Sequence, residues 1–163
     1  MKLSRLTRNA LLTAAALIIF AFEMLLPSLS PVPGLKLGLS NIVTVYAVFA
    51  LGPADGALIL AARILLGAFI SGNPSALMYS AAGGAACLWV LLLLRGLLTK
   101  KQVWVSSVLG AAAHNLGQLT VAVLVTRTPA LYAYLPVLVA GGMLAGLFTG
   151  ICAQLLINRA DLK

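Results

Sequence analysis

Apolar runs of about twenty residues recur along almost the whole of this 163-residue chain, and that recurrence restricts its fold more than any motif does. Lipid offers the backbone no hydrogen-bond partner, so runs of this length cross a bilayer as helices. Only 9% of residues are charged and 62% are hydrophobic; in globular domains about a quarter are charged. The composition specifies an all-α integral membrane protein. The runs fall at residues 10–26, 37–51, 55–70, 75–98, 103–125 and 135–157. The expectation is one domain, residues 1–163, folded as a compact bundle of six transmembrane helices. Pro27, Gly52-Pro53 and Ser71-Gly72-Asn73-Pro74 supply the breaks, and Asp55 is placed to cap the third helix. Spans two and three are short for a full crossing, which points to tilt, local thinning or a re-entrant element.

The net charge of +8 matters less than its distribution. Six crossings put Lys2, Arg5, Arg8, Arg95, Lys100, Lys101, Arg159 and Lys163 on one side, with Lys36 and Arg127 on the other. Under the positive-inside rule this is a multi-pass protein with both termini cytoplasmic. A five-span chain would carry Arg159 and Lys163 to the wrong side. The basicity therefore reads as topology, with no call for a nucleic-acid partner. The basic start followed by an apolar run imitates a secretion signal, yet it lacks an A-x-A-like exit and carries Glu23, so it reads as a retained first helix.

Polar residues sunk among the spans come next. Glu23, Asn41, Arg63, His114, Asn115 and Gln118 lie at membrane depth, where a lone charge costs about 3 kcal/mol even on lenient insertion scales. Such residues face a cavity or each other. His114 and Gln118, four apart, share a helix face from which Asn115 is rotated by roughly 100°. With Lys36 at the mouth of the second span, after the Pro33-Gly34 turn, the expected substrate-binding set is Glu23, Lys36, Asn41, Arg63, His114 and Gln118. Ser75, Tyr79, Gly83 and Gly84 could line the fourth helix beside it. The simpler alternative makes Glu23 and Arg63 one interhelical ion pair and His114 a packing residue. Ala10 and Ala14 form one small-xxx-small step, and Gly142, Gly146 and Gly150 form two. These either pack the bundle or dock a partner membrane subunit.

What is missing narrows the chemistry. The chain has no G-x-x-x-x-G-K-[ST], no H-E-x-x-H and no G-x-S-x-G. Its three acidic residues, Glu23, Asp55 and Asp161, are too far apart in the topology to hold Mg²⁺ for diphosphate chemistry. Cys87 and Cys152 lack metal-ligand spacing. The reading contains no catalytic residue, no metal and no cofactor.

Glu23 with Pro27, Pro33-Gly34-x-Lys36-Leu37-Gly38-Leu39-x-Asn41-Ile42, Arg63 with Gly67, Gly83-Gly84 and His114-Asn115-x-Gly117-Gln118 together resemble the bacterial Gx transporter family. That family is also labelled heptaprenyl diphosphate synthase component I. The resemblance covers nearly the whole chain; Ser40, where alanine is expected, is a minor departure. The family is similar to the S components of energy-coupling factor (ECF) transporters. The resemblance implies an S-component-like fold in the bacterial cell membrane and an external pocket for a small nutrient. It also implies a first-helix docking face for a transmembrane coupling subunit, with ATP used by separate ATPases. The synthase label implies instead a membrane accessory of a soluble prenyl diphosphate synthase in menaquinone side-chain synthesis. Such synthases need paired aspartate-rich motifs, so that role would be non-catalytic here.

Overall fold

The computed structural model describes residues 3–26 and 36–160. Lys2, the Pro33-Gly34 turn, most of the expected 27–36 loop, Asp161 and Lys163 lie outside the described residues. Helix α1 spans Leu3–Glu23. It starts earlier than expected because nothing in Leu3–Asn9 breaks a helix, and it ends ahead of Pro27 in tight turns, with Leu25 N donating to Phe22 O at 3.0 Å. Helix α2 spans Asn41–Tyr46 and continues as a π-helical turn, Ala47–Leu51. Helices α3 (Pro53–Ser71), α4 (Pro74–Leu97), α5 (Val103–Thr126) and α6 (Leu135–Ala160) follow. Short 3₁₀ turns, Lys100–Gln102 and Pro129–Tyr134, precede α5 and α6. Tyr132 and Tyr134 are exposed on the second of these.

The expected 71–74 break serves two helices. Gly72 ends α3 in the left-handed region, and Asn73 caps α4 by accepting from Ser75 N at 3.0 Å. Asp55 does not cap α3. Pro53, with its fixed φ and missing N–H, already starts that helix, so Asp55 lies inside its first turn.

Five helices are long and apolar enough to cross a membrane: α1, α3, α4, α5, and α6 with its preceding turn. The Asn41–Leu51 segment is shorter, about half of a 30 Å hydrocarbon core at 1.5 Å per residue. Its surroundings explain why an apolar helix can stop there. It touches all five long helices, and Val45, Ala47 and Val48 are almost completely buried. Val45, Val48 and Phe49 pack with Cys87 and Leu91 of α4, Val103 of α5, and Ala153 and Ile157 of α6. Val43 and Ala47 pack with Ala16 of α1 and Ile59 of α3. This is a buried central helix; the lipid-facing side chains, such as Phe69, Trp89, Leu124, Leu144 and Phe148, belong to the outer five.

Contacts also order the two ends of the bundle. Asp55 accepts from Arg5 Nε at 2.7 Å, Asn9 Nδ2 at 2.6 Å and Arg8 Nη2 at 3.5 Å, which brings the starts of α1 and α3 together. Phe49, Val103 and Ile157 meet near the same end. The short helix therefore leads from the Glu23 end of α1 to its Arg5 end.

Candidate functional site

The segment Lys36–Ser40 precedes α2 as three irregular residues and a turn at Leu39-Ser40, and it is strapped down by three of the long helices. From α1, Glu23 Oε1 accepts from Gly38 N at 2.6 Å. From α5, Gln118 Oε1 accepts from Lys36 N at 3.1 Å. From α3, Arg63 donates through Nη1 to Ser40 Oγ at 2.8 Å and through Nη2 to Asn41 Oδ1 at 3.1 Å. Gln118 Nε2 lies 2.7 Å from His114 Nε2. With the amide donating, the imidazole is neutral and carries its proton on Nδ1, which faces the backbone of Gly83. The Lys36 ammonium stands 3.5 Å over the centre of the Phe20 ring.

Gly38 adopts φ 81°, and a Cβ there would come within 2.7 Å of Asn41 Nδ2 and 3.0 Å of the His114 ring. This one backbone position thus has Glu23, Asn41 and His114 around it. The six residues expected to line a site, Glu23, Lys36, Asn41, Arg63, His114 and Gln118, are gathered about this segment. Five of them are almost fully buried; Lys36 is half-buried.

Glu23 and Arg63 do not form the alternative ion pair. Among the described residues the ion pairs are those of Asp55 with Arg5 and Arg8. Arg63 donates with its terminal nitrogens to Ser40 and Asn41 instead. Five buried atoms of the cluster have no hydrogen-bond partner, Glu23 Oε2, Lys36 Nζ, Asn41 Nδ2, Arg63 Nε and His114 Nδ1, and three others, Asn9 Oδ1, Ser106 Oγ and Asn115 Oδ1, lie outside it. Unpaired buried polar atoms are uncommon, and each needs an explanation such as a ligand, an ion or water.

Other sequence-selected residues lie elsewhere. Asn115 turns away from the site and donates to Leu138 O of α6 at 2.7 Å. Tyr79 packs with Leu119, Ala122 and Leu138 in an apolar cluster. Gly84 meets Leu60 and Ile64 of α3, and Ser75 belongs to the α4 cap; of the fourth-helix group, Gly83 alone adjoins His114 and Gln118. Gly142, Gly146 and Gly150 face α5: Gly142 lies against Asn115, Gly146 against Ala111 and Ser107, Gly150 against Ser107 and Trp104. That close approach closes the face to any partner. Ala10 and Ala14 are exposed on α1.

Two participants were not selected from the sequence. Ser40, which receives Arg63, was visible only as a departure in a family pattern. Asn9 joins Arg5 and Arg8 on Asp55; the spacing of those three on one helix end, with one acid available near them, was the signal.

Fold and site together define a multi-pass, all-helical membrane protein with a buried polar centre. The family model described as heptaprenyl diphosphate synthase component I matches residues 12–156, and the chain belongs to that family. Comparison with curated proteins and with solved structures found no match.

Proposed function

We propose that this chain is the solute-binding, S-component-like membrane subunit of an ECF-type transporter. It captures a small nutrient from outside the bacterial cell membrane, as a single six-helix domain with both termini cytoplasmic. The observation that carries the reading is the set of unpaired buried atoms on Glu23, Lys36, Asn41, Arg63 and His114, gathered where three helices hold one irregular segment. A merely structural polar network is stable when every member is satisfied. A binding site keeps donors and acceptors for its ligand. Glu23, Lys36, Asn41, Arg63, His114 and Gln118 form the site in this reading, with His114 and Gln118 setting the position of the segment. Exposed Ala10 and Ala14 dock the coupling subunit, beside the exposed apolar side chains of Leu3 and Leu11 on α1. Separate ATPases use the ATP.

The family description favours a second reading, a membrane accessory of a soluble prenyl diphosphate synthase. The two separate on affinity purification of the tagged chain from its own membranes. Recovery of a membrane coupling subunit with ATPases, lost in Ala14→Leu, is the expected result. Recovery of a soluble prenyltransferase whose rate or product length responds to the chain would overturn the transport reading.

A further inference from the structure

By residue type the polar centre holds two basic side chains, Lys36 and Arg63, against one acidic one, Glu23. His114, accepting from Gln118 at Nε2, adds no charge. The formal sum is therefore one positive charge. Among the described residues no other acid lies near enough to cancel it. Asp55 stands at the other end of α1 and α3 with Arg5, Arg8 and Asn9 on its oxygens. The unpaired atoms have a matching polarity: four donors, Lys36 Nζ, Arg63 Nε, Asn41 Nδ2 and, on the Gly83 side, His114 Nδ1, against one acceptor, Glu23 Oε2.

From this balance we infer that the site selects a small organic anion of single negative charge that also carries a neutral hydrogen-bond donor, a hydroxyl or an amide. Its anionic oxygens take Lys36, Arg63 and the Asn41 amide, and its donor takes Glu23 Oε2. A neutral solute leaves the buried positive charge uncompensated, a dianion reverses it, and a zwitterion cancels its own contribution. The assignment rests on the solute-binding reading and adds the ligand's chemical class.

Protonation of Lys36 enters the same balance. Burial brings its ammonium down to about 8; Arg63 from α3 acts in the same direction, and Glu23 from α1 opposes it. The facing imidazole from α5 is neutral. Above pH 8 the free site loses its positive charge, and anion affinity falls by about tenfold per pH unit.

The test is thermal melting of the purified full chain in detergent, titrated with lactate and its relatives. Lactate is a monoanion with a hydroxyl, lactamide removes the charge, propionate removes the hydroxyl, malate doubles the charge, and inorganic phosphate is an anion with no organic part. Lactate is expected to stabilise the protein saturably, at a midpoint at least about tenfold lower than lactamide, propionate, malate or phosphate. That midpoint climbs above pH 8. Glu23→Gln, which leaves two cations, moves the preference to malate. Lys36→Gln, in a non-helical segment, removes the preference for charge. Equal stabilisation by lactate and lactamide, or an unmoved preference in Glu23→Gln, overturns the anion assignment. If no probe acts, the solute carried through gentle purification decides. An anionic solute upholds the assignment, a neutral or cationic one overturns the assignment alone, and the absence of any solute contradicts solute binding itself.

Discussion

Gly38 is the position at which the site is most sensitive to a single methyl group. Its φ of 81° disfavours any residue with a Cβ, and that Cβ would press on Asn41 and His114. Gly38→Ala is expected to lower stability by about 1–3 kcal/mol and to disturb the Glu23 bond to the same residue, read by chemical denaturation and by ligand binding. Lys36 makes a second prediction. Its ordinary value of 10.5 is lowered to about 8, chiefly by burial. Between those values the unfolded chain binds more protons than the folded one, so stability of the ligand-free protein rises as pH climbs from 8 to 10.5. Below that window the cost of burying the ammonium is present in full. Melting temperature measured across the window should rise in the parent protein and stay level in Lys36→Met. At this scale the sequence was informative about charge and amide positions, because a polar side chain at lipid depth is conspicuous. It could not reveal that Ser40 and the Gly38 N–H would be the groups bridging those positions, since backbone donors and small hydroxyls look alike wherever they occur.

Helix packing sorts the two small-residue patterns that looked equivalent in the sequence. Gly142, Gly146 and Gly150 bring α6 close to α5, whereas Ala10 and Ala14 remain exposed on α1. In a membrane no hydrophobic drive holds helices together, so close van der Waals contact and buried hydrogen bonds such as Ser107 with Thr149, at 3.1 Å, carry that interface. Gly146→Leu is expected to force the pair apart and cost about 1–3 kcal/mol or more. Ala14→Leu should stay within about 0.5 kcal/mol of the parent while reducing recovery of the coupling subunit. Comparing melting temperature with co-purification in the two variants checks both. Periodicity alone could not separate these faces, since small residues four apart are compatible with packing inside or outside the chain. The same limit applies to the second helix: its apolar run marked it as a span, but its central burial depends on where the other five helices settle.

At the level of the whole molecule, charge and topology agree. Arg5 and Arg8 meet Asp55 at one end of the bundle, the end to which Phe49, Val103 and Ile157 also belong. Arg95, Lys101 and Arg159 sit at or next to the helix ends on that side, while Lys36 adjoins Gln118 toward the other. Five long helices enclosing a short one leave the central helix free to bring Asn41 and the Lys36–Ser40 segment inward, which a ring of uniform spans would not do. The proposed function requires that these buried polar groups hold a solute. Native mass spectrometry of protein released gently from its membrane tests this most directly. The expected result is the protein with one small molecule of constant mass, an adduct absent in Asn41→Leu protein of otherwise normal fold; parent protein found only at its bare mass, or an adduct that persists in Asn41→Leu, would contradict it.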